Sequence, residues 1–211
     1  MKTLLIIATF ITGSFYAQDT KAQGILDKLS AKMKGMKSFY VEFSATIKNS
    51  GTGVNETETG KGWIKGDKFY ANYGDNTIIC NGVKQWTVVK DEKTTYETDA
   101  DETDEESINP KKLMTIWESG LKCKYDKEEK LGEEMVHVIN LYPKDPKKAE
   151  YHTVTVYISK TSGDMKKAVM KRKDGTTMIY ALTKFTANPT IEDTKFVYDS
   201  KKFPGYKTIK D

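Results

Sequence analysis

Few residues in this 211-residue chain are equipped for covalent or acid–base chemistry. The two histidines, His137 and His152, stand in separate strand-like segments among apolar neighbours, with no ligand or base partner at close spacing. A nucleophile needs an adjacent base, and a metal needs clustered ligands; neither spacing occurs. The carboxylates gather in ETDADETDEE (Glu97 to Glu106), a solvated charge run rather than a pair in an apolar setting. No glycine-rich phosphate cradle is present. Net charge is +4, and Arg172 is the single arginine. Phosphate recognition leans on guanidinium forks, so nucleic acid is set aside as a partner. No catalytic residue, metal or cofactor is expected, and the chain reads as a binding protein rather than an enzyme.

What remains is an apolar pattern. In FYANYGDNTIICNGVKQWTVV (Phe69 to Val89), Phe69, Ala71 and Tyr73 alternate onto one face, and Trp86 and Val88 do so in the next strand but one. From Phe39 the same period runs through Val41, Phe43, Ala45 and Ile47. These residues raise the question of what such a surface is for.

The elements that must position them follow from periodicity. Residues 1–17, MKTLLIIATFITGSFYA, have the basic start, apolar run and small-residue end of a secretory signal peptide. Its removal leaves one exported, soluble domain over 18–211, placed in the periplasm. A helix is predicted over Thr20–Met36, with Thr20 and Gln23 as a capping box and Gly35 near its end. A second, short and greasy, is predicted over Asn109–Gly120; there Leu113, Ile116 and Trp117 lie on a broad apolar arc. About eleven strands surround these helices. They begin at Phe39–Ile47, Glu56–Lys65, Lys68–Tyr73, Thr77–Cys80, Lys84–Val89 and Thr94–Thr98. They continue at Leu121–Lys127, Glu134–Tyr142, Thr153–Ser159, Met165–Arg172 and Thr176–Thr186. Turns such as Asn81-Gly82 supply residues that tolerate positive φ. The spacing predicts one antiparallel meander with strands paired in chain order.

A curled antiparallel sheet with amphipathic helices in its concavity encloses an apolar volume, either filled by side chains or left for a hydrophobic ligand. Composition (12 Tyr, 8 Phe, 3 Trp, 8 Met) leaves both open.

The order of several short motifs resembles the LolA family, periplasmic carriers that take lipoproteins to the outer membrane. The motifs are MKSFYVEFSATI, then GKGWIKGDKFYANY, then IICNGVKQWTVVKDEKTTYET. At the C-terminus FVYDSKKFPGYKTIKD carries Phe196, Tyr198, Pro204 and Gly205 in shifted order. The resemblance spans the mature chain and implies an unclosed barrel of eleven antiparallel strands lidded by helices. It also implies acylated lipoproteins as cargo, an inner-membrane lipoprotein-releasing ABC transporter as donor, and a monomer. The expected cavity lining is Phe39, Val41, Phe43, Phe69, Tyr73, Trp86, Val88, Leu113, Ile116 and Trp117. Many family members carry an arginine at the turn after the second strand that bonds the lid; here the turn reads Lys65-Gly66-Asp67-Lys68. An envelope sensor, or another hydrophobic-ligand domain on the same fold, is the alternative.

Export permits a Cys80–Cys123 disulfide, but a sequential meander puts the two three strands apart, ~14 Å at ~4.8 Å per step. A bridge needs Cα atoms within ~7 Å. Two free thiols are predicted.

Overall fold

The computed structural model describes residues 19–100, 116–118 and 120–210. The predicted signal peptide, Leu113 and most of the predicted second helix lie outside them. Helix α1 (Thr20–Lys34) forms because Ala22, Leu26, Leu29 and Met33 recur on one face, and all four are buried. Its cap is Asp19 rather than Thr20. The Asp19 carboxylate accepts the backbone N–H of Lys21 and Ala22 (3.0 and 3.1 Å), and its second oxygen accepts that of Tyr125 (2.8 Å). The cap therefore also pins the helix start to the sheet. These three N–H bonds hold the Asp19 carboxyl below its usual range, the largest contribution coming from Ala22. At the other end Lys32 reaches Ser162 O (2.8 Å) and Asp164 (2.5 Å).

Twelve strands make one open sheet: β1 (Phe39–Asn49), β2 (Val54–Lys65), β3 (Lys68–Tyr73), β4 (Asn76–Cys80), β5 (Lys84–Val89), β6 (Thr94–Asp99), β7 (Lys122–Leu131), β8 (Glu134–Tyr142), β9 (Tyr151–Ser159), β10 (Met165–Arg172), β11 (Thr176–Ala187) and β12 (Lys207–Lys210). All eleven expected strands are present. Their order, β12-β6-β5-β4-β3-β2-β1-β11-β10-β9-β8-β7, corrects the single sequential meander. Strands β6 and β7 are not neighbours. Instead two meanders, β1–β6 and β7–β11, are joined where β1 pairs with β11. These two strands, 11 and 12 residues long, match over their full length and form the sheet's centre. Strand β12 is unforeseen, and it pairs with β6 in parallel.

Cross-strand partners share a face, so the register sorts the side chains. Phe39, Ile64, Phe69, Cys80 and Gln85 form one row on the inner face. Tyr40, Trp63, Tyr70, Ile79 and Trp86 form the neighbouring row on the outer face. Helix α1 lies on the inner face. There Ile139, Leu141, Val154, Val156 and Ile158 are at most 1% exposed and join the helix residues in the principal core.

The chain after β11 crosses the outer face as a strap. Asn188, at φ 51°, turns it, and Phe196 is its buried anchor. Lys65 donates to Ile191 O (3.1 Å) and to Asp193 (3.0 Å), and Lys68 also reaches Asp193 (3.3 Å). The turn lacking the expected arginine thus uses its lysines to hold the strap. Lys195 sits over Trp63 and Tyr70, 3.7 and 4.4 Å from the ring centroids. Tyr198 stacks on Trp86 at 5.4 Å and reaches Thr95 Oγ1 (3.2 Å).

Cys80 and Cys123 are buried thiols that are not joined by a disulfide. They lie on β4 and β7 with seven strands between them in the sheet, farther apart along it than the three steps of a sequential meander.

Candidate functional site

Helix α1 packs at the β7 side of the inner face, and coverage by the described residues thins toward β10, β11, β1 and β3. There Tyr73, Met170, Tyr180, Leu182 and Phe185 are only partly buried although they pack against the core. Each faces inward by register. Ala45 pairs with Tyr180, Phe43 with Leu182 and Val41 with Phe185. The register shift between Glu42 and Phe43 explains why Leu182 and Phe185 share a face although they are three positions apart rather than two. Phe43 stacks on Tyr73 (6.0 Å, 14°), and Phe39 on Phe185 (5.9 Å, 25°). Burial pushes the Tyr180 hydroxyl up to about 12, with the neighbouring Tyr73 adding to it. Tyr73 is raised chiefly by burial, then by Glu58 and Glu56.

Phe43 can lie across the inner face because its partner is Gly60. A Cβ there would stand 2.7 Å from the ring's Cε1 and 2.8 Å from the Asn72 carbonyl oxygen. The thin β2 backbone is thus part of how the aromatic wall is built. Beyond Gly60, the inward positions of β2 are Glu58 and Glu56, both exposed, so one border of the apolar surface is acidic.

Six of the ten expected lining residues meet in this core: Phe39, Val41, Phe43, Phe69 and Trp117, all buried, and half-buried Tyr73. Trp117, in a single 3-10 turn (Ile116–Glu118), donates its indole N–H to Ser30 Oγ of α1 (2.7 Å). The backbone of Ile116 belongs to the same turn, while its side chain, like Leu113, is outside the described residues. Trp86 and Val88 do not join the group. They face outward, Trp86 beneath the strap at Tyr198. The inward positions of β5 are Gln85, Thr87 and, at the strand's end in the row of Tyr73, Val89, so most of this strand's inward side is polar. Met170, Tyr180, Leu182 and Phe185 were missed, although Met178, Tyr180 and Leu182 show the required period of two.

At the α1–β7 seam, Tyr125 OH lies 3.1 Å from His137 Nδ1, with Glu128 at 3.8 Å from the same nitrogen. Lys160 bonds Glu128, and Lys21 sits 3.6 Å above the Tyr125 ring. Burial holds the His137 imidazole below its usual range against the opposing pull of Glu128. The cluster ties helix to sheet.

No helix among the described residues is long and apolar enough to cross a membrane. A comparison with curated proteins returns no match. Among solved structures the chain is similar to an uncharacterised conserved protein from Thermus thermophilus (11% identity, 91% of this chain and 100% of that one, TM-score 0.57). It is also similar to LprF from Mycobacterium bovis (15%, 83% and 97%, TM-score 0.54). At these identities the likeness concerns the fold alone. Residues 13–176, well over half the chain, match the family described as outer membrane lipoprotein carrier protein LolA. That match makes this chain a member of the LolA family, and the unclosed, mainly antiparallel sheet with a helix on its inner face agrees with it.

Proposed function

We propose that the protein is an exported carrier that shields the acyl chains of lipoproteins on its inner face during transfer to the outer membrane. The observation that supports this most directly is the half-covered apolar surface of Tyr73, Met170, Tyr180, Leu182 and Phe185, continuous with buried Phe39, Val41, Phe43 and Phe69. A protein needing only stability gains by covering such side chains. A carrier needs them available, since each methylene buried is worth ~0.8 kcal/mol and one long chain on the order of 10 kcal/mol gross. In this reading residues 1–17 are the signal peptide and 18–211 the carrier domain, acting in the periplasm. An inner-membrane ABC transporter is the donor, and the role is that of a monomeric chaperone rather than an enzyme.

The test uses a fatty acid brominated along its chain as a quencher. Trp117 lies in the inner core and Trp63 and Trp86 on the outer face. The expected result is saturable quenching that disappears in Trp117→Phe and is lost on Leu182→Glu. Quenching that survives Trp117→Phe, or no saturable quenching, would overturn the assignment of the inner face. Depletion in the cell then separates carrier from sensor, because lipoproteins accumulate at the inner membrane only if the protein carries them.

A further inference from the structure

The outer face holds a second feature unrelated to the apolar wall. Where β11 bulges at Thr183, opposite Glu42 and Phe43 of β1, the sheet surface opens into a groove of about 340 Å³. That volume is at the lower end of the ~300–1,000 Å³ in which proteins hold small molecules. It is lined by Gly60, Phe43 and five polar residues, Glu42, Thr59, Lys61, Asn72 and Thr183, of which Glu42, Lys61 and Asn72 form one cross-strand row on the outer face.

Their hydrogen-bonding capacity is only partly used. Oε1 of Glu42 accepts from Tyr40 OH (2.7 Å) and lies 3.8 Å from the Lys184 ammonium, whereas Oε2 takes no bond from a described residue. Asn72 spends its amide donors on Thr77 Oγ1 (2.9 Å) and Tyr70 OH (3.4 Å), which leaves Oδ1 as an acceptor among the described residues. Thr59, Lys61 and Thr183 are exposed, and their side chains make no hydrogen bond to another described residue. The row of side chains next to the groove, on the same face, is Tyr40, Trp63 and Tyr70, with centroids 4.8 and 5.7 Å apart.

We propose that this outer groove binds a neutral saccharide unit. Glu42 faces the ammonium groups of both Lys61 and Lys184, so a cation is not favoured, and no guanidinium fork lines the groove to hold an anion. The groove instead offers acceptors (Glu42 Oε2, Asn72 Oδ1), a donor (Lys61) and two hydroxyls that serve as either. Such a mixture suits a ring of hydroxyl and acetamido groups. The half-buried Tyr40 ring beside it, packed on Trp63 with the mobile-stemmed Lys184 ammonium 5.7 Å from its centroid, borders the groove for the apolar face that a sugar also has. An acyl chain would find few apolar partners here, so this site is separate from the inner face.

The experiment is an amide-resolved NMR titration of the mature protein with chitotetraose and, separately, maltotetraose at millimolar concentration. Saturable shifts are expected at Gly60, Lys61 and Thr183 and their immediate neighbours, with affinity weakened on the order of tenfold by Lys61→Ala or Glu42→Gln. Lys61 is exposed and Glu42→Gln preserves shape, so folding is not at stake in either variant. Trp117 quenching by the brominated acyl probe should be unchanged in both, so a failure here is distinguishable from a failure of the carrier reading. No saturable shift with either saccharide, shifts on the inner face instead, or equal affinity in the variants would overturn the proposal. So would a response to a simple zwitterion, glycine, in place of the sugars.

Discussion

Gly60→Ala is the sharpest probe of how the inner wall is made. In an unconstrained strand this change stabilises, because alanine restricts the unfolded chain by ~0.4–1 kcal/mol. Here the new Cβ would lie 2.7 Å from Phe43 Cε1 and 2.8 Å from the Asn72 carbonyl oxygen. The ring is 5% exposed and stacked on Tyr73, and the carbonyl belongs to the paired strand β3, so neither yields freely. Forcing a methyl into a packed site costs ~1–3 kcal/mol. The difference is a net loss of about 1–2 kcal/mol, or ~2–8 °C in Tm for a chain of this size. Urea unfolding of parent and variant measures it. Adding Phe43→Leu should return part of the loss, since it relieves the ring contact but not the carbonyl contact, with a coupling above ~0.5 kcal/mol. A Gly60→Ala protein as stable as its parent would refute the seating of Phe43 over Gly60, and with it the account of the wall.

Further outcomes are expected elsewhere. Because folding lowers the pKa of His137, the native state disfavours its protonation; stability is full above the ordinary histidine value of 6.5 and falls as pH drops below it toward the lowered value. Urea midpoints at pH 7.5 and 5.5 should therefore differ less in His137→Gln than in the parent. Lys195→Met removes the cation from Trp63 and Tyr70 and should cost about 0.5–2 kcal/mol, with a change in Trp63 emission. Asp19→Ala removes a cap and the bond to Tyr125 N together, and amide exchange should accelerate at both α1 and β7. Thiol titration of the denatured, unreduced protein should count two thiols, and a count of zero would contradict the strand order between Cys80 and Cys123.

The elements were legible in the sequence because they rest on local chemistry. The stripe of α1 and the alternation of β1 come from single segments, and glycines at 66, 82, 163 and 175 take the positive φ their turns require. Strand order was not legible. Alternation states which residues share a face within a strand but says nothing about partners, and the β1–β11 pair that joins the two meanders is a long-range match. The choice of Asp19 over Thr20 as cap was hidden for the same reason, since Tyr125 N, a tertiary partner, adds to the local bonds.

Trp86 and Val88 show where pattern reading fails physically. A strand's apolar side was equated with the concavity, which holds only if nothing covers the other face. The strap brings Phe196 and Tyr198 to that face, so β5 turns Trp86 and Val88 outward and leaves Gln85 and Thr87 inside, with Val89 as its one apolar inward residue. The consequence reaches the candidate site. With Gln85 and Thr87 facing inward over most of β5, a continuous apolar surface runs instead through β3, β1 and β11 to β10, along the seam between the two meanders. The β11 residues Tyr180 and Leu182 sit at the middle of that seam, opposite Ala45 and Phe43. A ligand held on the inner face therefore rests on both meanders at once, and the β1–β11 pairing that the sequence concealed is what makes the surface continuous.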